Sequence, residues 1–186
     1  MSKFSFGAND VVNATPLSEL VAKQVARLDK VCQIKVLAGF THVVRDAEYH
    51  FSYKLTDQAN FSNMTNFANT SLQLGELAAK IRVEQYGDNL PAPLPSEWSC
   101  QWNGHTEDGE SVVLTLNLTE FLELSSAAIR HNQSTLAEFR KNKADLESST
   151  SETELLQKQK ALGIDKQEFE ASELMFKYNV QLTPSA

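Results

Sequence analysis

The chain has 186 residues, a formal net charge of −7 and 41% hydrophobic residues, enough for one domain of ordinary size with a modest core. It holds no block of Lys/Arg and no apolar run near ~18 residues, which argues against duplex DNA, an anionic membrane surface and a bilayer span. The N-terminus lacks a basic start followed by an apolar run, so no secretory signal is expected.

Phe4 and Phe6 alternate with Ser5, the pattern of a short strand or a docking arm. A helix is then announced. Thr15 can cap it, Pro16 suits its first position and Glu19 lies in its first turn. Leu17, Leu20, Val21, Val25, Leu28 and Cys32 follow at helical spacing, and Gly39 is a natural stop. From Phe40 the period becomes two. Phe40, His42 and Val44 face Tyr49, Phe51 and Tyr53 across a four-residue loop of Arg45, Asp46, Ala47 and Glu48. Thr41, His50, Ser52 and Lys54 face the other way.

Thr56 or Asp57 caps the next helix, in which Phe61, Met64, Phe67 and Ala68 recur at three- and four-residue spacing. Leu72, Leu74, Leu77, Ala78 and Ile81 extend it, with Gly75 a weak point or a bend. Its many Asn and Thr residues are poor helix formers, so it depends on packing. Residues 87–95 hold three prolines and read as an extended linker. Trp98, Cys100 and Trp102 open a second hairpin, answered by Val112, Leu114 and Leu116. A three-residue loop of Glu107, Asp108 and a left-handed Gly109 sets Trp102 opposite Leu114 and Cys100 opposite Leu116.

Asn117 or Thr119 caps a long helix whose stripe is Leu118, Phe121, Leu122, Ala128, Ile129, Leu136 and Phe139. Residues 147–154 are polar and read as a hinge or exposed loop. A short helix over 153–162 stops at Gly163, and Asp165 with Glu168 resembles a capping box for another. Leu174, Phe176, Tyr178, Val180 and Leu182 then alternate with polar or flexible residues, which predicts a strand ended by Thr183 and Pro184.

The expected fold is α+β. Two hairpins form a four-stranded antiparallel sheet with helices packed on one face, and a helix-and-strand appendage follows. The division is an N-terminal arm over 1–15, the α+β domain over 16–146 and the appendage over 147–186. A bare strand over 174–182 would be an aggregation liability, so it is expected to pair with this sheet or a neighbour's. Phe4, Phe6, Phe176, Tyr178, Val180 and Leu182 are therefore the candidate partner-binding residues.

Chemistry-bearing motifs are scarce. There is no nucleotide-binding glycine loop, zinc cysteine cluster, metalloprotease helix or hydrolase elbow. His42, His50, His105 and His131 lack the close spacing of a metal site. His42 reads as a boundary residue, His50 and His105 as solvated, and His131 as packing on the sheet. Asp46, Glu48 and Asp57 read better as turn and cap residues than as an acid–base pair. Trp98 and Trp102 could stack a sugar or a base, but they share the predicted core face with Cys100 and Leu114. Cys32 and Cys100 are expected as buried free thiols in a reducing cytoplasm. No catalytic residue, cofactor or metal is expected, and the chain does not read as an enzyme.

Ala38-Gly39-Phe40, Thr56-Asp57, Trp102, Asp108-Gly109, Leu118-Thr119-Glu120-Phe121 and His131 occur in an order that is familiar. Over about residues 20–145 this combination resembles a tail-associated domain of unknown function found in bacteriophage tail-fibre and tail-assembly proteins. The resemblance implies a virion structural protein of the tail, baseplate or fibre-attachment apparatus, made in the host bacterial cytoplasm. Its implied partners are other phage tail proteins such as tail-fibre or baseplate subunits, within an oligomeric assembly and without nucleic acid or membrane. The alternative it implies is a tail-fibre assembly chaperone absent from the mature virion. The family offers no catalytic residues to carry over.

Overall fold

The computed structural model describes residues 15–86 and 98–182. Its elements are α1 (Leu17–Ala38), β1 (Phe40–Val44), β2 (Ala47–Phe51), α2 (Leu55–Tyr86), β3 (Ser99–His105), β4 (Ser111–Asn117), α3 (Leu118–Glu147), α4 (Glu152–Leu162) and α5 (Ile164–Lys177). Phe4 and Phe6, the proline-rich residues 87–95, and Thr183 with Pro184 lie outside the described residues. The α+β class and the antiparallel sheet are as expected, with strand order β1-β2-β3-β4. The two hairpins join at one pair, His50 opposite His105. Among the described residues no helix is long and apolar enough to cross a membrane.

The main core lies between the sheet and two helices. Phe40, Phe51, Cys100 and Leu116 from the strands meet Phe61 and Ala68 of α2 and Phe121, Leu124 and Ala128 of α3. The second hairpin has the expected register, Trp102 opposite Leu114 and Cys100 opposite Leu116. The Thr106 amide donates to the Glu110 carbonyl at 2.9 Å, closing a loop whose Gly109 has φ 84°.

The first hairpin turns more tightly than the four residues expected. Arg45 and Asp46 alone form the turn, with φ 50° and 67°, and Val44 pairs with Ala47. Two positive φ values match the right-handed twist of the flanking strands. Relative to the expected pairing the register moves by two residues, which leaves every side chain on its own face. Phe40 now opposes Phe51 and His42 opposes Tyr49. The Arg45 guanidinium donates to Glu120 at 2.7 and 2.8 Å and to the Thr115 carbonyl at 2.7 Å, tying this turn to the start of α3. Asn117 and Glu120 form a full capping box there, so Asn117, not Thr119, is the cap.

At the joint into α2 the amide of Lys54 donates to Asp57 Oδ2 at 3.1 Å, and the Ser52 hydroxyl donates to the same oxygen at 2.7 Å. Asp57 thus reaches back from the first turn, as the acidic partner of a capping box does. Thr56 is exposed. Asp57→Ala is expected to cost about 1 kcal/mol and Thr56→Ala less than about 0.5 kcal/mol, read as shifts of the urea midpoint. α2 runs unbroken through Gly75.

The strand expected over 174–182 is absent. Residues up to Lys177 belong to α5 instead. The reason is a competing helical stripe. Ala171 packs with Val31 and Ile34 of α1, and Leu174 and Met175 join the same cluster. A helix buries all of these on one side, whereas a strand would divide them between two faces. Asp165 and Glu168 form no capping box either. Both carboxylates bind Arg27 of α1, with Arg27 Nε donating to Glu168 Oε1 at 2.9 Å. α5 starts at a left-handed Gly163 with no side-chain cap. Leu155 of α4 and Ile164 of α5 pack with Leu28 and Leu146, so both helices lie against α1 and α3.

Candidate partner-binding surface

α5 has two sharply different sides. Ile164 and Ala171 are fully buried, while Phe169 is 65% and Phe176 93% exposed. A seven-residue step is close to two helical turns, so the two rings stand almost in line. They point away from the stripe that faces α1. A pair of aligned, solvated phenylalanines is the kind of apolar patch that marks a contact surface.

Of the six candidate partner residues, Phe176 is on this surface. Phe4 and Phe6 lie outside the described residues. Tyr178, Val180 and Leu182 turn the other way, because α5 ends at Lys177 and the chain folds back through Asn179 at φ 48°. Tyr178 lies flat on His50 with ring centroids 3.6 Å apart. Val180 is 5% exposed, and Leu182 packs against the cluster of Val31, Ile34 and Ala171. Phe169 was not among the candidates. Its signal was its place one heptad before Phe176, opposite Ile164 and Ala171.

His50, expected to be solvated, is buried under Tyr178. Its Nε2 lies 2.7 Å from the Ala38 carbonyl, so that nitrogen carries the proton and donates. His131 makes the same kind of bond to the Lys35 carbonyl at 3.1 Å and stacks on Phe40. Two imidazoles thus satisfy carbonyls in the last turn of α1. Burial, reinforced by His105 and Lys177, pushes His50 down to about 4. With its folded value below the usual 6.5, neutral His50 favours the fold above that pH. The stability is lost as pH falls from about 6.5 through about 4. An NMR titration should show the His50 ring still neutral at pH values where an exposed histidine is charged; a midpoint near 6.5 would contradict its burial.

Three acidic residues have structural tasks. Asp46 forms a turn, Asp57 holds the α2 joint and Glu120 is shared by Arg45 and the α3 cap. Burial raises the Cys100 thiol to about 11, so it is not a thiolate at neutral pH, and both cysteines are free as expected. Among the described residues no three His, Cys, Asp or Glu side chains are placed to hold a metal ion. The residues that carry the sequence resemblance are also structural. Phe40 and His131 stack together, Trp102 packs on Phe61 and Phe121, and Gly39 and Gly109 occupy positive φ. Comparisons of this chain with protein-family models, curated proteins and solved structures find no match.

Proposed function

We propose that the protein is a non-enzymatic structural component of a phage tail, baseplate or fibre-attachment apparatus, working by protein–protein contact through the outward face of α5. The observation that carries the contact reading is Phe176, 93% exposed and in line with Phe169. Burying one such ring is worth roughly 1.5–3 kcal/mol, and this fold leaves both in water. Aromatic residues of this kind are the usual anchors of interfaces. The tail assignment rests on the sequence resemblance, whose residues support the fold and not a reaction. The natural partners are tail-fibre or baseplate subunits, and the natural location is the virion.

Phe169→Ser with Phe176→Ser tests the contact. Both side chains are exposed, so urea stability should change by less than about 0.5 kcal/mol. Incorporation of the variant into phage particles, in a complementation assay, should fall sharply. Incorporation equal to that of the unaltered chain would remove α5 as the docking face.

A further inference from the structure

α2 is packed at one end only. Phe61, Met64, Ala68 and Leu72 belong to the main core, and beyond Leu72 no side chain of this helix joins a hydrophobic cluster among the described residues. Phe67, Leu74 and Leu77 are each more than half exposed. Leu74 stands seven residues after Phe67 and Leu77 three further on, so the three make one apolar stripe along the helix. A helical stretch of about fourteen residues is marginal in water unless something packs on it, and Gly75 weakens this one further. The stripe begins at Trp98, whose ring centroid lies 6.4 Å from that of Phe67. The Trp98 indole N–H is buried and has no hydrogen-bond partner among the described residues. A buried donor left unmet is costly, so this one calls for an acceptor.

We propose that the stripe and the Trp98 indole are the seat of this chain's own residues 87–97. Chain connectivity names the occupant. From Phe67 to Tyr86 the helix rises about 28 Å. The segment that leads from Tyr86 back to Trp98 can span at most about 40 Å. Trp98 is held against Phe67, so the return path has to run beside the distal half of α2, on the side where the stripe stands. Spread evenly over that path, Leu90 comes within about one helical turn of Leu77, and Leu94 comes level with Leu74. Pro91, Pro93 and Pro95 have no amide to donate and disfavour helix in the residues before them, which leaves carbonyl oxygens free to accept from the indole. Proline-rich backbone on an aromatic surface is a recurrent mode of recognition. The seat uses no residue of α5, so it stands or falls independently of the docking role.

The test is methyl NMR of the full chain in a sample that mixes labelled and unlabelled copies, with amide hydrogen exchange alongside. Contacts from Leu90 and Leu94 to Leu74 and Leu77 should appear within one copy, and the Trp98 indole N–H should exchange slowly. The variant Leu90→Ser, Leu94→Ser should lower the protection of the Leu74, Glu76 and Leu77 amides by at least about tenfold. The amides of β3 and β4 should stay protected in that variant, since the main core does not draw on either leucine. Contacts seen only between copies would give the stripe to a second copy and overturn the proposal. So would the absence of any contact between the two leucine pairs, or protection of α2 that survives the double change.

Discussion

Gly39→Ala is expected to be among the most damaging single substitutions, costing at least about 3 kcal/mol and leaving little folded protein at 37 °C. Two independent effects converge on this position. Its φ is 95°, where side-chain-bearing residues are strained, and an added Cβ would sit 1.9 Å from the Phe51 carbonyl oxygen. That oxygen belongs to the backbone of the neighbouring strand, so no rotamer change relieves the clash. Gly39 is where α1 gives way to β1, and a shift there displaces both the first hairpin and the α1 carbonyls bound by His50 and His131. Gly109→Ala is the control. Its φ is 84° but nothing lies within 4 Å, so only backbone strain remains, about 1 kcal/mol. Urea unfolding of the two variants separates close approach from strain. Equal losses would mean that the contact with Phe51 yields easily.

Phe121→Ala should cost about 3–5 kcal/mol, with the loss read from the urea midpoint at unchanged slope. Phe121 is fully buried at the start of α3. Its ring centroid lies 5.5 Å from Trp98, 5.7 Å from Trp102 and 6.3 Å from Phe61, so one side chain joins α3 to β3 and α2. Large rings around a fixed gap collapse poorly, which places the cost in the upper part of the range for such truncations. Trp fluorescence should change with it, since both tryptophans neighbour the lost ring. A cost below about 1 kcal/mol would show that the aromatic cluster repacks and is not the centre of the core.

The local parts of this fold were legible in the sequence. The second hairpin was readable to its register because Gly109 announces a left-handed loop position and the apolar residues align only one way across it. The α3 start was readable to within two residues, Asn117 or Thr119, and the capping box of Asn117 with Glu120 decides for Asn117. The first turn was misjudged because Arg45 and Asp46 adopt positive φ without glycine, and their anchor, Glu120, is distant in sequence. The same cause explains the larger misses. Asp165 and Glu168 have the spacing of a local cap, but Arg27 claims both from α1. Leu174 fits both the strand period that runs on to Leu182 and a helical stripe with Ala171 and Met175, and the partner that decides between them, Val31 with Ile34, lies on the first helix. The patch of Phe169 and Phe176 was half visible for that reason, since a strand reading grouped Phe176 with Tyr178 and Val180, which the fold-back after Lys177 turns inward. His50 was placed on the correct outer face, but its cover, Tyr178, comes from the other end of the chain.

A virion role makes the central claim directly measurable. The proposed tail role predicts that quantitative mass spectrometry of purified phage particles detects this chain at a fixed ratio to known tail subunits, retained through repeated purification. Its absence from mature particles, with the protein abundant in infected cells, would contradict a structural role and favour an assembly chaperone.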